Sequence, residues 1–269
     1  MSDNNNDTHE RTLLNLNEYG FYNFMPDSET KKNDLGYFLK NKSIETYSYV
    51  TPTFYGEENF NQFIDYAFSF FSDGQEYFIV KHFNDEFFMM NSKKLRLRKL
   101  MPYHLDTLLM VWKENKDPII QEKHSMELEQ LNSKTIIKWV DVFFDSFKYP
   151  RYLRKYITRM VTTQEENGVE FYIGYVSGND VSCFCSYKST TFHGIYGVGT
   201  REKFRRQGYA KTMMTVFMEE KLKEDSNAQF CLQAQKNSGA EKLYLGLDFK
   251  TAYIQKRFDW DPSFKDSSF

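Results

Sequence analysis

The feature that most restricts how this chain can fold is a change in apolar spacing at Gly168. Downstream of it, hydrophobic and polar side chains alternate in three successive segments, Val169–Tyr175, Val181–Tyr187 and Phe192–Thr200. Such alternation predicts β-strands, and the two short connections between the segments predict an antiparallel meander. Nine of the 13 glycines lie between Gly168 and Gly246, which indicates that tight turns concentrate in this half of the chain.

Helical spacing, with apolar residues three and four apart, recurs on both sides of this point. It predicts helices over Glu58–Phe71, Tyr103–Glu114, Thr135–Phe147, Pro150–Thr163, Gly208–Leu222 and Ser238–Leu245. Short aromatic or alternating runs predict further strands over Glu76–His82, Glu86–Asn91, Leu95–Leu100, Ala228–Gln235 and Phe249–Arg257. Residues 1 to about 10 are polar, which predicts disorder, and residues 11–57 have no regular pattern.

The charge balance and the cysteines exclude several classes of protein. The 269 residues include 35 Lys and Arg against 37 Asp and Glu, a net charge of −2, so neither nucleic acid nor an anionic membrane is an expected partner. No apolar run approaches the ~18 residues needed to span a bilayer, and the polar N-terminus does not resemble a signal peptide. Cys183, Cys185 and Cys231 form no CxxC pair. We therefore expect a reduced, cytoplasmic protein with no disulfide framework and no metal.

The stretch from Gly194 to Lys211, GIYGVGTREKFRRQGYAK, leads from a glycine-bearing strand through a basic turn directly into an amphipathic helix. The first turn of a helix leaves backbone N–H groups unpaired and has a partial positive charge. Because Gly208 leaves room for close approach and Arg205 and Arg206 add positive charge, this junction suits a phosphate or pyrophosphate. Neither GxxxxGK[ST] nor GxGxxG occurs here, which disfavours a kinase or a Rossmann dehydrogenase.

Within this stretch, residues 205–210, RRQGYA, match the [QR]xxGx[GA] signature, and the chain here resembles the GCN5-related N-acetyltransferase (GNAT) superfamily. The later segment NSGAEKLYLGLDF resembles the second element of that family, with matches at Asn237, Ala240, Leu243, Tyr244 and Phe249. Asp248 stands where the family usually has glycine. The order of elements from about residue 95 to residue 257 also agrees, so the resemblance leaves the first 93 residues unexplained.

The resemblance implies an α/β (α+β) GNAT fold. Such a fold has a mixed, mostly antiparallel central sheet flanked by helices, with a splay between two central parallel strands, here joined by an N-terminal helix and strands. We expect residues 94–260 to form the N-acetyltransferase domain and residues 261–269 to form a C-terminal tail. Residues 1–93 are expected to be an aromatic-rich extension that packs on the catalytic core.

In this family acetyl-CoA lies in the splay, here between the strands that end near Thr200 and Gln235. The resemblance implies that the backbone of Val198 and Thr200 pairs with the pantetheine arm and that the Val198 N–H polarises the acetyl carbonyl. The amides of the loop would hold the pyrophosphate, and Asn237 would bind the cofactor arm. The implied cofactor-binding residues are Val198, Gly199, Thr200, Arg205, Arg206, Gln207, Gly208, Tyr209, Ala210, Lys211 and Asn237.

Two residues are candidates for the proton transfers. Tyr244 matches the family's general acid, which protonates the departing CoA thiolate. Some members have a glutamate on the central strand, but this chain has Gly194 there, so Glu170, which shares a strand face with Tyr172, is the candidate base. The alternatives are structural: Tyr244 as a core tyrosine, Asn237 as a helix N-cap, and the two arginines as a solvated turn.

These implications predict an acyltransferase, namely an acetyl-CoA-dependent N-acetyltransferase that moves an acetyl group directly to a primary amine of a small molecule or a protein. The expected partners are acetyl-CoA and the amine acceptor, and the expected assembly is a monomer or a homodimer. The alternative is a catalytically weak CoA-binding sensor or scaffold module, which the missing strand carboxylate and Asp248 favour. The acceptor itself is not specified, because the segments that form the acceptor cleft in this family mix both charges.

Overall fold

The computed structural model describes residues 3–53, 59–71, 76–82, 85–112 and 125–260. The chain divides into two compact units. The first comprises Met1–Asn15, Asp27–Leu109 and Ala252–Phe269, and the second comprises Leu16–Pro26 and Met110–Thr251. No helix in these described ranges is long and apolar enough to cross a membrane.

Up to residue 112, the described residues form three α-helices and six β-strands. They are α1 (Asp3–Asn23), β1 (Ser28–Lys32), β2 (Gly36–Asn41), β3 (Tyr49–Pro52), α2 (Phe60–Phe70), β4 (Ile79–His82), α3 (Asp85–Leu97), β5 (Leu100–Pro102) and β6 (Thr107–Trp112). The remaining elements are β7 (Glu127–Gln130), α4 (Ile137–Phe147), α5 (Arg154–Glu166), β8 (Glu170–Val176), β9 (Asn179–Lys188), β10 (Phe192–Thr200), α6 (Tyr209–Glu224), β11 (Gln229–Gln235), α7 (Gly239–Leu245) and β12 (Lys250–Trp260).

The second unit contains a mixed sheet in the strand order β11, β10, β9, β8, β7. The pairs β7/β8, β8/β9 and β9/β10 are antiparallel, and β10/β11 is parallel. The predicted meander and the predicted fold class are therefore confirmed. Neighbouring residues on β8 point to opposite faces, so Phe171 contacts Trp139 of α4 while Tyr172 contacts Phe217 of α6. The two helices thus cover opposite faces of the sheet.

The helices of the second unit follow the predicted apolar spacing. Trp139, Val140 and Phe143 are buried on α4, and Met213 and Phe217 are buried on α6. The predicted helices at residues 135–147, 150–163, 208–222 and 238–245 correspond to α4, α5, α6 and α7. Apolar periodicity located α4, α5 and α6 because each buries a stripe of side chains three and four residues apart.

The first unit has an aromatic core of its own. Its strands β1, β2, β3, β4 and β12 form consecutive pairs, and β5 also pairs with β12. The buried cluster on this sheet consists of Phe38, Val50, Phe60, Phe63, Ile64, Ala67, Phe71, Phe78, Val80, Leu95, Leu100, Phe258 and Trp260. The described aromatics of residues 54–93 therefore form the core of the first unit, in which they contact one another.

Three sequence predictions in the first half are wrong. The strands predicted at residues 86–91 and 95–100 are mainly helix α3, whose buried residues Asn91 and Leu95 are four apart. The helix predicted at residues 103–114 is wrong, because residues 103–106 form neither a helix nor a strand and Thr107–Trp112 form strand β6, while residues 113–114 lie outside the described residues. Leu108 to Trp112 are all buried, and a short, continuous apolar run cannot distinguish a strand from a helix by its spacing.

The N-terminal prediction of disorder is also wrong, because α1 begins at Asp3. Its second half buries Leu14, Asn17, Glu18 and Phe21, which have the three and four residue spacing of a packed helix. Two of these positions are polar, so a search for apolar periodicity does not detect the helix.

The boundaries of the two units differ from the predicted division at residue 94. The second unit takes residues 16–26 from the N-terminal region, and most of β12 lies in the first unit. The reason is strand pairing, since Phe258 of β12 is the partner of both Val80 on β4 and Pro102 on β5. The predicted tail, residues 261–269, lies outside the described residues.

Candidate functional site

The parallel strands β10 and β11 separate before they end. Their pairing runs from Phe192 opposite Gln229 to Ile195 opposite Leu232, whereas β10 continues to Thr200 and β11 to Gln235. Beyond Ile195 the facing edges carry backbone N–H and C=O groups that do not bond across the gap. Because such groups require partners, the gap suits an extended ligand that itself contains amides.

A bulge in β10 accompanies the separation. Tyr196 pairs with Cys185 and Gly199 pairs with Cys183, so three steps along β10 correspond to two along β9. Gly197 has a φ of +62°, in the left-handed region that favours glycine, and an added Cβ would lie 3.2 Å from the ring of Trp139. Bulges bend a strand and redirect the residues that follow them.

The turn after β10 leads to the start of α6. The N-cap residue is Gly208, with a φ of +85°, and no side chain caps the helix there. The first backbone N–H groups of a helix have no partner within it, and the helix dipole adds positive potential at the same end. This helix start is therefore suited to bind a phosphate group.

A cavity of about 640 Å³ lies beside the end of β10 and the start of α6. Its lining includes Tyr244 and every predicted cofactor-binding residue except Gln207 and Asn237. Six further lining residues were not assigned to the site from the sequence, namely Ser146, Phe147, Phe204, Gly239, Ala240 and Leu243.

The end of α4 forms one wall of this cavity. A Cβ on Gly199 would lie 2.8 Å from the Cβ of Ser146 and 2.9 Å from the ring of Phe147, so the strand approaches the helix closely. Phe147 is nevertheless 44 % exposed, and it is one of the residues that line the cavity. Sequence reasoning missed this wall, since the contact joins segments more than fifty residues apart and no local pattern marks it.

The basic residues of the turn have different roles. The Arg205 guanidinium donates from Nε to the carbonyl oxygen of Thr200 at 3.1 Å and from Nη2 to the carbonyl oxygen of Ser146. It therefore joins the turn to two walls of the cavity. Arg206 and Lys211 line the cavity and make no ion pair within the described part of the chain, so their positive charges are available to a bound anion.

Tyr244 lies on α7 and is 5 % exposed. Burial raises the pKa of its hydroxyl above the ordinary tyrosine value, so the side chain is a neutral O–H donor at physiological pH. The hydroxyl forms no hydrogen bond with any residue that the structure describes, and Tyr244 is among the residues that line the cavity. A buried, neutral hydroxyl of this kind can donate a proton to an anion that forms beside it.

Two predicted binding residues lie outside the lining. Asn237 is exposed, with a φ of +63°, and the N-cap of α7 is its neighbour Ser238, whose Oγ accepts from the Glu241 N–H at 3.1 Å. Asn237 is therefore not the helix cap that was considered as its alternative role. Gln207 is exposed as well, and its side chain donates to the Lys203 carbonyl oxygen at 3.3 Å.

Glu170 is also outside the lining of the cavity. It lies on β8, two strands away from β10, and its Oε2 accepts from the Tyr172 hydroxyl at 2.9 Å. Its Oε1 lies 3.4 Å from Nζ of Lys221 on α6. Burial and the Glu170 charge both raise the pKa of Tyr172, so that hydroxyl stays protonated. Glu170 is thus part of a strand-to-helix contact.

The cysteines and His193 do not contribute reactive groups to this cavity. Cys183, Cys185 and Cys231 are free and buried, and burial raises the pKa of each thiol, which keeps them protonated. Burial, followed by the charges of Lys188 and Lys221, lowers the pKa of His193. In the described ranges, no group of three His, Cys, Asp or Glu residues is arranged to hold a metal ion.

The N-terminal helix contacts the sheet near the root of the gap, which sequence reasoning did not detect. Asn17 is fully buried and its amide donates to the carbonyl oxygens of Tyr187 and Phe192, at 3.2 and 3.0 Å. Its Oδ1 accepts from the Tyr196 hydroxyl at 2.6 Å. A Cβ on Gly194 would lie only 2.0 Å from this oxygen, so glycine is required where α1 crosses β10.

Comparison with known proteins finds one matching family model and several solved structures of similar fold. Residues 128–249 match the model of the acetyltransferase (GNAT) family. A search of the curated proteins found no match to this chain.

Among solved structures, a GCN5-related N-acetyltransferase from Kribbella flavida is similar, with a TM-score of 0.66 and 12% identity over 93% of this chain and 96% of that one. A functionally unknown conserved protein from Staphylococcus epidermidis ATCC 12228 has a TM-score of 0.64 and 13% identity over 87% and 94% of the two chains. A tandem GNAT protein from the clavulanic acid biosynthesis pathway has a TM-score of 0.62 and 9% identity over 89% and 86%. At these identities the similarity concerns the fold alone.

Proposed function

We propose that the protein is an acetyl-CoA-dependent N-acetyltransferase, because residues 128–249 match the model of the acetyltransferase (GNAT) family. It transfers an acetyl group directly to a primary amine of a small molecule or a protein. The observation that carries this proposal is the cavity beside the separated end of β10, which combines a strand edge, an uncapped helix start and the buried hydroxyl of Tyr244.

In the proposed complex the protein contacts acetyl-CoA along the whole length of the cofactor. The backbone N–H groups from Arg206 to Lys211 bind the pyrophosphate, and the side chains of Arg206 and Lys211 supply positive charge. The pantetheine arm lies along the edge of β10 at Val198 and Thr200 and pairs with it in the manner of an added strand. Asn237, although exposed, lies at the end of β11 and remains a candidate contact to the cofactor arm.

The proposed chemistry is a direct transfer. The neutral amine attacks the acetyl carbonyl carbon, a C–N bond forms, and the C–S bond breaks with its electron pair on sulfur. The nitrogen releases one proton to solvent as the amide forms. The Val198 N–H stabilises the developing oxyanion, and one such donor contributes about 3 kcal/mol. Tyr244 donates its hydroxyl proton to the departing thiolate and is reprotonated from solvent. No metal and no cysteine nucleophile take part.

We also propose that the reaction takes place in the cytoplasm, by a monomer or a homodimer. The three free, buried thiols support a reducing compartment, since such cysteines in an oxidising one more often form disulfides.

Turnover tests this proposal. Purified protein is mixed with acetyl-CoA and a panel of alkyl monoamines, diamines, amino acids and peptides, and free CoA thiol and acetylated product are both measured. We expect at least one amine to stimulate thiol release with matching formation of its amide. Thiol release that no amine stimulates would contradict an acetyltransferase. The absence of thiol release with every amine of the panel would contradict it as well.

The second candidate function is a CoA-binding sensor or scaffold without turnover. A specific observation favours it, since none of the described residues that line the cavity is an aspartate, glutamate or histidine. The same panel separates the two functions. A sensor binds acetyl-CoA, detected as a rise in Tm with ligand, but releases no thiol with any amine.

A further inference from the structure

The second unit contains another cavity, of about 500 Å³, which the proposed binding of acetyl-CoA does not use. We call it the α4–α5 cavity, because it is lined by Phe144 and Asp145 of α4, by Tyr149 and Arg151 of the following segment, and by Arg154 at the start of α5. It shares no lining residue with the cofactor cavity. Aromatic walls with a few charged groups, at this volume, are typical of a site for a small molecule.

The lining of the α4–α5 cavity has one positive charge that is not paired within the described part of the chain. Asp145 is paired with Arg201, whose Nη1 lies 2.7 Å from its Oδ2. Arg154 is paired with Asp141 of α4. Arg151 is exposed and makes no ion pair, hydrogen bond or ring contact with any residue that the structure describes. The charge of Arg151 is therefore available to a ligand.

The guanidinium of Arg151 determines which ligand the α4–α5 cavity favours. A guanidinium presents a planar set of N–H donors that matches two oxygens of a carboxylate or a phosphate. Phe144 and Tyr149 supply apolar surface for the carbon chain that carries such a group. The α4–α5 cavity therefore suits a ligand with an acidic end and disfavours one whose end is a second ammonium group.

Contacts between rings locate the α4–α5 cavity beside the acetyl end of the proposed cofactor site. A Cβ on Gly197 would lie 3.7 Å from the ring of Phe143, and this ring stacks on Tyr149 with the centroids 5.3 Å apart. Gly197 immediately precedes Val198, whose N–H is assigned to the acetyl carbonyl. The ring of Tyr149 also lies 6.3 Å, between centroids, from that of Phe147 in the cofactor cavity. A single aromatic ring therefore lies between Tyr149 and the strand beside the acetyl group.

The phosphates of the cofactor are assigned to a different place. They bind at the start of α6, which covers the opposite face of the sheet from α4, and Arg206 and Lys211 supply positive charge there. Arg151 is therefore left for the second substrate.

We propose that the α4–α5 cavity binds an acidic group of the acceptor, so that the substrate is an amine that also carries a carboxylate or a phosphate. Arg151 binds the oxygens of the acid, Phe144 and Tyr149 contact the carbon chain, and the amine at the other end attacks the acetyl group. This inference rests on the proposed acetyltransferase function, for which it specifies the class of acceptor.

The test is Arg151→Gln, which removes the charge and the planar set of donors. Because Arg151 is exposed and unpaired, the variant should fold as the wild type does. The matched control is Lys155→Gln, which removes a positive charge from an exposed residue of α5 that lines neither cavity.

The acceptors are pairs of amines of similar length, one with and one without an acid group. The pairs are γ-aminobutyrate with butylamine, ε-aminocaproate with hexylamine, and aminopropyl phosphate with propylamine. Steady-state assays give kcat and KM for each amine, and isothermal titration gives the affinity for acetyl-CoA.

We expect the wild type to use at least one acidic amine about tenfold or more better, in kcat/KM, than its partner without the acid, which is the usual scale of a hydrogen bond between charged groups. Arg151→Gln should lose this preference through a higher KM for the acidic amine. Its kcat/KM with the simple alkylamine and its affinity for acetyl-CoA should match the wild type. Lys155→Gln should retain the preference.

Three outcomes would overturn the inference: a wild type that prefers no acidic amine, a preference that persists in Arg151→Gln, or an equal loss of preference in Lys155→Gln. Weaker binding of acetyl-CoA by Arg151→Gln would overturn it as well, because the charge would then serve a phosphate of the cofactor. The proposed function stands in each case, since the wild type still acetylates amines. A wild type that releases no thiol with any amine would contradict the proposed function, and the acceptor site with it.

Discussion

Asp248 has a backbone conformation that ordinarily favours glycine. It follows α7 with a φ of +63°, its N–H donates to the Leu245 carbonyl oxygen, and the Phe249 N–H donates to the carbonyl oxygen of Tyr244. These two bonds form a Schellman motif, in which the left-handed position is usually glycine. The departure from the family pattern at this residue therefore concerns backbone strain and not a catalytic group.

Replacement of Asp248 by glycine should relieve that strain. We expect Asp248→Gly to raise the free energy of unfolding by up to about 1 kcal/mol, offset in part by the greater freedom of glycine in the unfolded chain. Asp248→Val should lower it, because a β-branched residue is strained at positive φ. Urea unfolding of the three proteins measures both changes. A less stable glycine variant would contradict this account.

Tyr244 is the second residue whose role can be tested by a single change. Tyr244→Phe removes the proton donor and keeps the buried ring, so we expect acetyl-CoA affinity and Tm to remain close to wild type. Turnover should fall by roughly 100-fold, the usual scale for a lost general acid. Steady-state thiol release and a binding titration measure the two effects. Equal turnover in the variant would remove Tyr244 from the mechanism.

At the scale of residues, the sequence predicted the backbone groups that line the cavity better than it predicted the side-chain contacts around the cavity. The [QR]xxGx[GA] pattern located Gly208 and the turn around it, because the backbone there has a φ of +85°, which glycine adopts most readily. It did not locate Phe147 or Asn17, whose contacts with β10 depend on tertiary packing. Distant contacts of this kind leave no local pattern.

At the scale of elements, phosphate binding at the start of α6 can be tested against a control position that has the same backbone strain. Gly208 and Gly168 both have a φ of +85°, and a Cβ on Gly168 would meet nothing within 4 Å. Valine at either position should cost about 1–2 kcal/mol of stability. We expect Gly208→Val alone to weaken acetyl-CoA binding, at least tenfold, because its side chain blocks approach to the helix N–H groups.

Isothermal titration with acetyl-CoA compares these two variants. Unchanged affinity in Gly208→Val would refute the assignment of the phosphate site, and an equal loss in Gly168→Val would indicate that strain, and not the blocked site, causes the effect.

At the scale of the whole molecule, prediction succeeded in the second half of the chain and failed in much of the first. Helices with one apolar stripe have clear periodicity, and α4 and α6 are of this kind. The strands β8 to β10 are buried on both faces, and the short turn segments between them located them in the sequence. The strand β6 is buried over five successive residues, so its apolar residues do not alternate with polar ones. The helix α1 buries polar groups, so its apolar residues alone do not show helical spacing. Pairing between distant strands, such as β12 with β4, is not encoded locally.

The first unit provides a test at the same scale. Deletion of residues 54–93 would remove Phe60, Phe63 and Phe78 from the core that also contains Phe258 and Trp260. We expect the truncated chain to expose that apolar surface and to aggregate, because a buried aromatic contributes several kcal/mol. Light scattering and binding of a hydrophobic dye measure this. A monodisperse truncated protein with wild-type Tm would contradict the assigned core.

The central claim of this account is that the cavity beside the separated end of β10 binds acetyl-CoA. Thermal unfolding of the wild-type protein over a range of acetyl-CoA concentrations tests it most directly. We expect a single-site rise in stability that reaches about 2.7 kcal/mol when the ligand is at one hundred times its Kd, with the rise much reduced in Gly208→Val. No rise in Tm at millimolar acetyl-CoA would contradict the claim.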